Sequence, residues 1–170
     1  MTDQTELDRE TLDYERAGHH AKSPLKLWLR LFACATLIEA EISRRLRSSF
    51  DISLAKFDFL AQLYRSPEGV MTMSQLGRCL MVTGGNITGL TDRLEREGLA
   101  ERRPHPTDRR SQVIGLTDKG REFFETMAEA HEEWIRELLS GLDDDDQDQM
   151  MEHLGDLKSS VLGLTTNKDL

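Results

Sequence analysis

The sequence has no long apolar run. Its most apolar stretch, residues 25–38, is broken by Lys26 and Arg30, so nothing approaches the roughly 20 apolar residues that cross a bilayer, and no membrane span or membrane partner is expected. A secretory start is also missing. The first residues are acidic and polar (Asp3, Glu6, Asp8, Glu10, Asp13), whereas a signal is basic and then apolar, so the expected location is the cytoplasm. Only two cysteines occur, Cys34 and Cys79, which argues against a disulfide framework and makes buried thiols the expectation. Catalytic signatures are lacking as well: there is no Ser-His-Asp order, no P-loop, no G-x-G-x-x-G after a strand and no H-E-x-x-H. His19 and His20 are adjacent, while His105, His131 and His153 are scattered without metal-ligand spacing. The expectation is a protein that is not an enzyme and holds no cofactor and no metal.

Net positive charge is absent too, at −9 over 170 residues, but its distribution matters more than its sum. Residues 21–121 carry 17 basic and 11 acidic side chains, while residues 122–158 carry 2 basic and 13 acidic ones. A basic middle between acidic ends leaves a polyanion open as a partner. With 38% hydrophobic and 31% charged residues, the composition is that of an ordinary globular domain.

Helical signals dominate what is present. Ser23-Pro24 reads as an N-cap followed by proline at the first helical position. Leu27, Leu31, Cys34, Ile38 and Ile42 then recur at helical spacing, with Leu25, Trp28, Leu29 and Phe32 on other faces, which predicts a helix buried on more than one side. Arg44, Arg45 and Arg47 end it, suiting either the helix dipole or an anionic ligand. Ser53 caps a second helix through Tyr64, with Leu54, Phe57, Leu60, Ala61 and Tyr64 as its buried face. Thr72 and Gln75 form a capping-box pattern that opens a short helix, whose Leu76, Cys79 and Leu80 are expected to face inward.

After a tight turn, another helix begins at Thr83 with Ile87, Leu90 and Leu94 on one side, the outline of a helix-turn-helix. Two strand-like runs come next, residues 99–103 and 111–116, separated by Pro104, Pro106, Thr107 and Asp108. A hairpin with a basic tip, joined directly to a recognition helix, makes a wing. Thr117 caps a long helix carrying Phe123, Met127, Ala130, Trp134 and Leu138. Gly141 marks its end, and the run Asp143–Asp146 opens a last helix with Met150, Leu154, Leu157 and Val161 in a stripe. The expected fold class is mainly α with a small β-wing, a winged helix-turn-helix domain plus a helical dimerisation lobe. The expected segments are an acidic tail or extra helix (1–22), an N-terminal helix (23–50) that the family resemblance given below implies is shared by dimer lobe and ligand cleft, the winged helix-turn-helix DNA-binding domain (51–117) and dimerisation helices (118–170).

The recognition helix carries Gly84, Gly85 and Gly89, each costing roughly 1 kcal/mol relative to alanine when exposed within a helix. Close approach is a compensating reason. Gly84 and Gly85, in the first turn after Thr83, leave backbone N–H groups and the positive helix end open to a phosphate. Asn86 and Thr88 can then reach base edges, asparagine suiting adenine. Tight packing of the two helices is the other reading, above all for Gly89.

The order of elements resembles the multiple antibiotic resistance regulator (MarR) family of transcription factors over residues 25–161. The stretch "TDRLEREGLAERRPHPTDRRSQVIGLTDKG" holds the residues that carry the resemblance: D-x-L-E-x-x-G-L ending the recognition helix, D-x-R at the wing tip and L-T-x-x-G opening the next helix. The resemblance implies a homodimer that binds a pseudopalindromic DNA operator, generally as a repressor, and leaves it when a small aromatic ligand binds between the lobes. It further implies that Arg110 enters the minor groove with its guanidinium held by Asp108. Arg102, Arg103 and Arg109 would then face phosphates, giving affinity more than sequence choice. Arg93 reads as a further DNA contact or, with Arg96 and the neighbouring acids, as a helix-surface ion pair. Many relatives have bulkier or charged residues where this chain has Gly84 and Gly89, so those positions give no side-chain readout here.

The helix "LKLWLRLFACATLIE" and the stretch "LMVTGGNITGLTDRLEREGL" are similar to the branch that controls hydroxycinnamate and related aromatic-acid degradation. That likeness implies an aromatic acid or aromatic acyl-CoA as the ligand. Trp28, Phe32, Phe57 and Tyr64 can stack on a ring or serve as plain core, and Arg30, Arg44, Arg45 and Arg47 can meet the phosphates of a coenzyme A moiety. Two alternatives stand beside this reading: a peroxide sensor acting through Cys34 or Cys79, and a protein-interaction module using the acidic C-terminal helices.

Overall fold

A computed structural model describes residues 24–80, 87–105 and 112–166. Pro24 opens α1 (Pro24–Phe50), and Asp51 closes it in a left-handed conformation (φ 52°). There its N–H donates to Arg47 O at 3.1 Å, one of the bonds that satisfies the last carbonyls of a helix. The Ser53 hydroxyl caps α2 (Leu54–Arg65) by accepting from Lys56 N. β1 (Val70–Thr72) leads directly into α3 (Met73–Cys79). α4 (Ile87–Arg96), β2 (Ala100–Pro104), β3 (Gln112–Leu116), α5 (Asp118–Leu138) and α6 (Asp144–Thr166) complete the order. The expected capping box at Thr72 and Gln75 is formed in both directions.

The three strands make an antiparallel sheet in the order β1-β3-β2. Val70 pairs with Gly115 and Thr72 with Val113 on one side, while Ala100 pairs with Leu116 and Pro104 with Gln112 on the other. The two wing strands lie within a residue of their expected places. β1 is an addition, since the "SPEG" turn leads almost straight to the capping box in the sequence and leaves only Val70 and Met71 between them. The chain thus has the predicted architecture: mainly helical, with a small β-sheet behind a helix-turn-helix.

The described residues divide into two compact units at His131/Glu132, within α5. In the first, Leu46, Phe59, Leu60, Leu63, Leu76, Leu94, Ile114 and Met127 are essentially inaccessible and form the core. Phe124 is buried where the sequence pointed to Phe123, which is half-buried. In the second, α6 opens with Asp146 N donating to Asp143 Oδ1 (2.8 Å) and three aspartates in its first turn. Its Met150, Leu154, Leu157 and Val161 are all exposed.

Several expectations of burial are corrected. α1 is not covered on several sides: only Ile42 and Leu46 are buried, and Leu27 is 67% and Trp28 56% exposed. Both cysteines are exposed. Cys34 lies on the uncovered part of α1. Cys79 is the last residue of a helix of only seven, so the chain turns there and Leu80, not Cys79, folds back into the core. Tyr64 is on the outer edge of α2, while Phe59 and Leu63 are buried beside the expected Phe57, Leu60 and Ala61.

Candidate nucleic-acid interface

The helix-turn-helix is held by small residues and one hydroxyl. α3 approaches α4 at Gly77, where a Cβ would lie 3.1 Å from Ile87 Cδ1. Thr91 is fully buried, and its hydroxyl donates to Ile87 O at 2.8 Å, so no polar atom is left unsatisfied on the inner face of α4. Leu94 fills the core one turn later. The outer face carries Thr88, Asp92, Arg93 and Arg96, all exposed.

The turn from α4 to the wing is built from the residues that carry the family pattern. Gly98 has φ +70°, a conformation that costs a side-chain-bearing residue roughly 1–2 kcal/mol. Leu99 N returns to Leu94 O at 2.9 Å to close the helix. The Thr117 hydroxyl then does two things: it donates to Gly98 O (2.7 Å) and accepts from Gly120 N (2.9 Å), capping α5. Gly120 lies so close to this turn that a Cβ there would sit 1.9 Å from Leu99 O. L-T-x-x-G is therefore a docking joint between α5 and the α4–β2 corner.

Charged side chains tie the same corner together. On β2, Arg102 reaches back to α4, with one guanidinium nitrogen on Asp92 Oδ1 at 2.6 Å and another on Glu95 Oε2. Its backbone N–H also donates to Glu95 Oε1 at 3.0 Å. The resemblance points Arg102 toward phosphate, and the structure turns its guanidinium onto two carboxylates of the recognition helix. Arg96, four residues from Asp92, directs Nε to the backbone Asp92 O (3.2 Å), and Arg93 directs Nε to Gly89 O (3.1 Å). Arg103 is half-exposed at the outer side of the wing and pairs with Glu101. At the other flank Lys56 pairs with Glu97, whose carbonyl accepts from Lys119 Nζ at 2.8 Å. Thr83, Gly84, Gly85, Asn86, Asp108, Arg109 and Arg110 lie outside the described residues.

The residues considered for a ligand fall into separate groups. Trp28 and Phe32 stack on each other along exposed α1, with ring centroids 5.9 Å apart. Phe57 is buried against Phe124 (5.6 Å) and His131 (4.9 Å). Tyr64 packs on Phe124 at 4.8 Å, donates to Glu125 at 3.0 Å and lies beneath the Arg121 guanidinium. Arg44 and Arg45 both grip Glu41, whose carboxyl is held down to about 2 by those hydrogen bonds; Arg30 and Arg47 are exposed. Burial pushes the His131 imidazole below its usual range, with Arg65 adding to the effect. Burial and the Glu39 charge push the Asp58 carboxyl up, against the pull of Arg65.

A groove of about 570 Å³, which the sequence did not reveal, runs between the end of α1 and the start of α5. Phe50 and Phe123 meet edge-to-face there, and Lys56, Lys119 and Glu97 form its polar side. Its residues come from four separated stretches of the chain, which no local pattern connects.

Comparison with known proteins shows the family of the chain. The sequence model described as "MarR family" matches residues 50–111, from the end of α1 to the wing. The HTH-type transcriptional regulator YkoM of Bacillus subtilis is 35% identical over 122 residues, covering 72% of this chain and 78% of YkoM. The chain belongs to the MarR family. A MarR family transcriptional regulator from Silicibacter pomeroyi has the same fold, with a TM-score of 0.68 and 33% identity over 81% of this chain and 94% of that one. The transcriptional repressor YetL of Bacillus subtilis is 29% identical over 151 residues, 85% of this chain and 90% of YetL. This MarR protein is accordingly a DNA-binding transcriptional regulator. Among the described residues no helix is long and apolar enough to cross a membrane.

Proposed function

We propose that the protein is a ligand-responsive repressor that binds a pseudopalindromic operator as a homodimer and is released by a small aromatic molecule. The observation that carries this reading is the corner at Gly98, which fixes a recognition helix and a wing to each other as one reading head. Residues 83–86 would enter the major groove, with Asn86 and Thr88 at base edges and Gly84 and Gly85 against phosphate. Arg110, steadied by Asp108, would enter the minor groove, and Arg93, Arg103 and Arg109 would add phosphate contacts. Repression is favoured by the likeness to YetL.

Homodimerisation is supported by the apolar stripes that α1 and α6 each leave uncovered. Exposed Leu27 and Leu31 on one, and Met150, Leu154, Leu157 and Val161 on the other, form apolar stripes of the kind that mark protein–protein contact. An aromatic acid or aromatic acyl-CoA, such as a hydroxycinnamoyl-CoA, is the proposed ligand class. The stacked Trp28 and Phe32 offer a ring platform, and Arg30, Arg44, Arg45 and Arg47 supply positive charge along α1. Phosphates bound there would also repel the operator.

The exposure of both thiols favours a second reading, peroxide sensing through Cys34 or Cys79, because accessibility is one requirement of a reactive cysteine. Fluorescence anisotropy on the intergenic DNA beside its own gene tests both. Salt-sensitive binding is expected, released by one member of a panel of aromatic acids and their CoA thioesters and unchanged by peroxide. Release by peroxide that is lost in Cys34→Ser or Cys79→Ser would replace the aromatic ligand with an oxidant.

A further inference from the structure

We propose that Arg102 is a positioning residue which, clamped by Asp92 and Glu95, fixes the recognition helix against the wing and so sets operator selectivity, without serving as a phosphate contact. The inference rests on the DNA-binding reading and deepens it. Three observations carry it. The two carboxylates stand three residues apart on one side of α4 and converge on a single guanidinium from β2, while Glu95 also takes the β2 backbone N–H of Arg102. A planar fork holding two carboxylates defines an angle as well as a distance, which a flexible surface pair does not. The cluster also carries one more negative than positive charge, so it repels a polyanion on balance and is poorly suited to attract phosphate.

The third observation is where the clamp sits. Behind it, Leu94 and Leu99 are buried, and Gly98 makes a left-handed turn whose residue type leaves the backbone free to vary. On the far side of that turn, Glu97 is held from α2 by Lys56 and from α5 by Lys119. The end of α4 is therefore fastened to its own domain on one flank, and on the other flank Arg102 alone ties the α4 carboxylates to β2 by an ion pair among the described residues. Losing that tie would leave α4 folded but its rotation relative to the wing less well defined. Selective recognition needs both to engage the same stretch of duplex, and non-specific binding does not.

A phosphate contact and a positioning clamp give opposite results when the carboxylates are neutralised. In Asp92→Asn with Glu95→Gln, two negative charges disappear and the guanidinium is released. A phosphate-binding Arg102 would then hold every DNA more tightly, with a steeper dependence on salt. A clamp predicts the reverse for the operator: the ratio of operator to random-sequence affinity falls about tenfold, while random-sequence affinity holds or rises. Arg102→Lys is the second variant, since it keeps the charge and loses the fork. It should lower the same ratio, whereas a phosphate contact, which lysine also makes, would leave the ratio and the salt slope as in wild type.

The measurement is fluorescence anisotropy of the full chain on its own intergenic DNA and on a random duplex across a salt series, with circular dichroism melts to confirm that each variant is folded. An operator-to-random ratio as high as wild type in the Asn/Gln variant, or an unaltered ratio in Arg102→Lys, would overturn the inference. Wild-type protein with no preference for the intergenic DNA would instead remove the regulator reading, and the inference with it.

Discussion

Single residues decide this corner by having no side chain or one with few options. Gly120 is the clearest case, because the carbonyl of Leu99 occupies the place of a Cβ. Gly120→Ala must move either α5 or the α4–β2 turn, and overpacking of this kind costs about 3 kcal/mol. A drop of that size in urea-unfolding stability is expected, against a much smaller change for Gly141→Ala, where a Cβ would meet nothing within 4 Å. Other residues show where sequence reasoning stops. Arg102 lies seven positions from Glu95 and ten from Asp92, beyond the three- and four-residue spacings that announce helix-surface pairs. Arg96 has such a spacing to Asp92 and is its natural partner on paper. The turn at Gly98 brings a competitor from the next strand, and only folded geometry shows it.

Among elements, those with their own signals were legible and those that borrow stability from a neighbour were not. Ser53, the Thr72–Gln75 box and Thr117 mark helix starts by chemistry local to a few residues, and each forms as expected. The wing hairpin was readable from its prolines and alternating runs. β1 was not, because three half-buried residues hold too little pattern and become a strand only by pairing with the free edge of β3. The contact between α2 and α5 also has a testable chemistry, since Phe57 meets the His131 ring at 4.9 Å. Protonating His131 is disfavoured in the fold by burial and by Arg65, so its folded pKa lies below the unfolded value of 6.5. The folded state thus binds fewer protons in that window. Stability is full above about pH 6.5 and declines as pH falls through the folded pKa. Urea midpoints measured from pH 8 to pH 5 should fall more for wild type than for His131→Phe, which keeps a ring and removes the titration.

At the level of the whole molecule, the largest gap between sequence and structure is the apolar surface of α1 and α6. Helical spacing shows that a stripe will be covered, but it cannot show whether the cover comes from the same chain. The single chain leaves Leu31 and Leu157 exposed, and under the homodimer proposal a second copy covers them. Leu154→Lys with Leu157→Lys should therefore shift sedimentation from dimer to monomer and weaken operator binding sharply, as each half-site loses its tether to the other. A dimer that survives these changes would place its interface elsewhere.

The sheet also orders events in time. β3 is the last strand to leave the ribosome, yet it is the middle one, so β1 and β2 have no strand partner until it emerges. A nascent chain that already carries both helices of the reading motif still lacks the sheet that backs them. It gains that support only when the returning arm of the wing is made, and nascent chains shorter than this are left with two open strand edges that need protection from pairing with other chains.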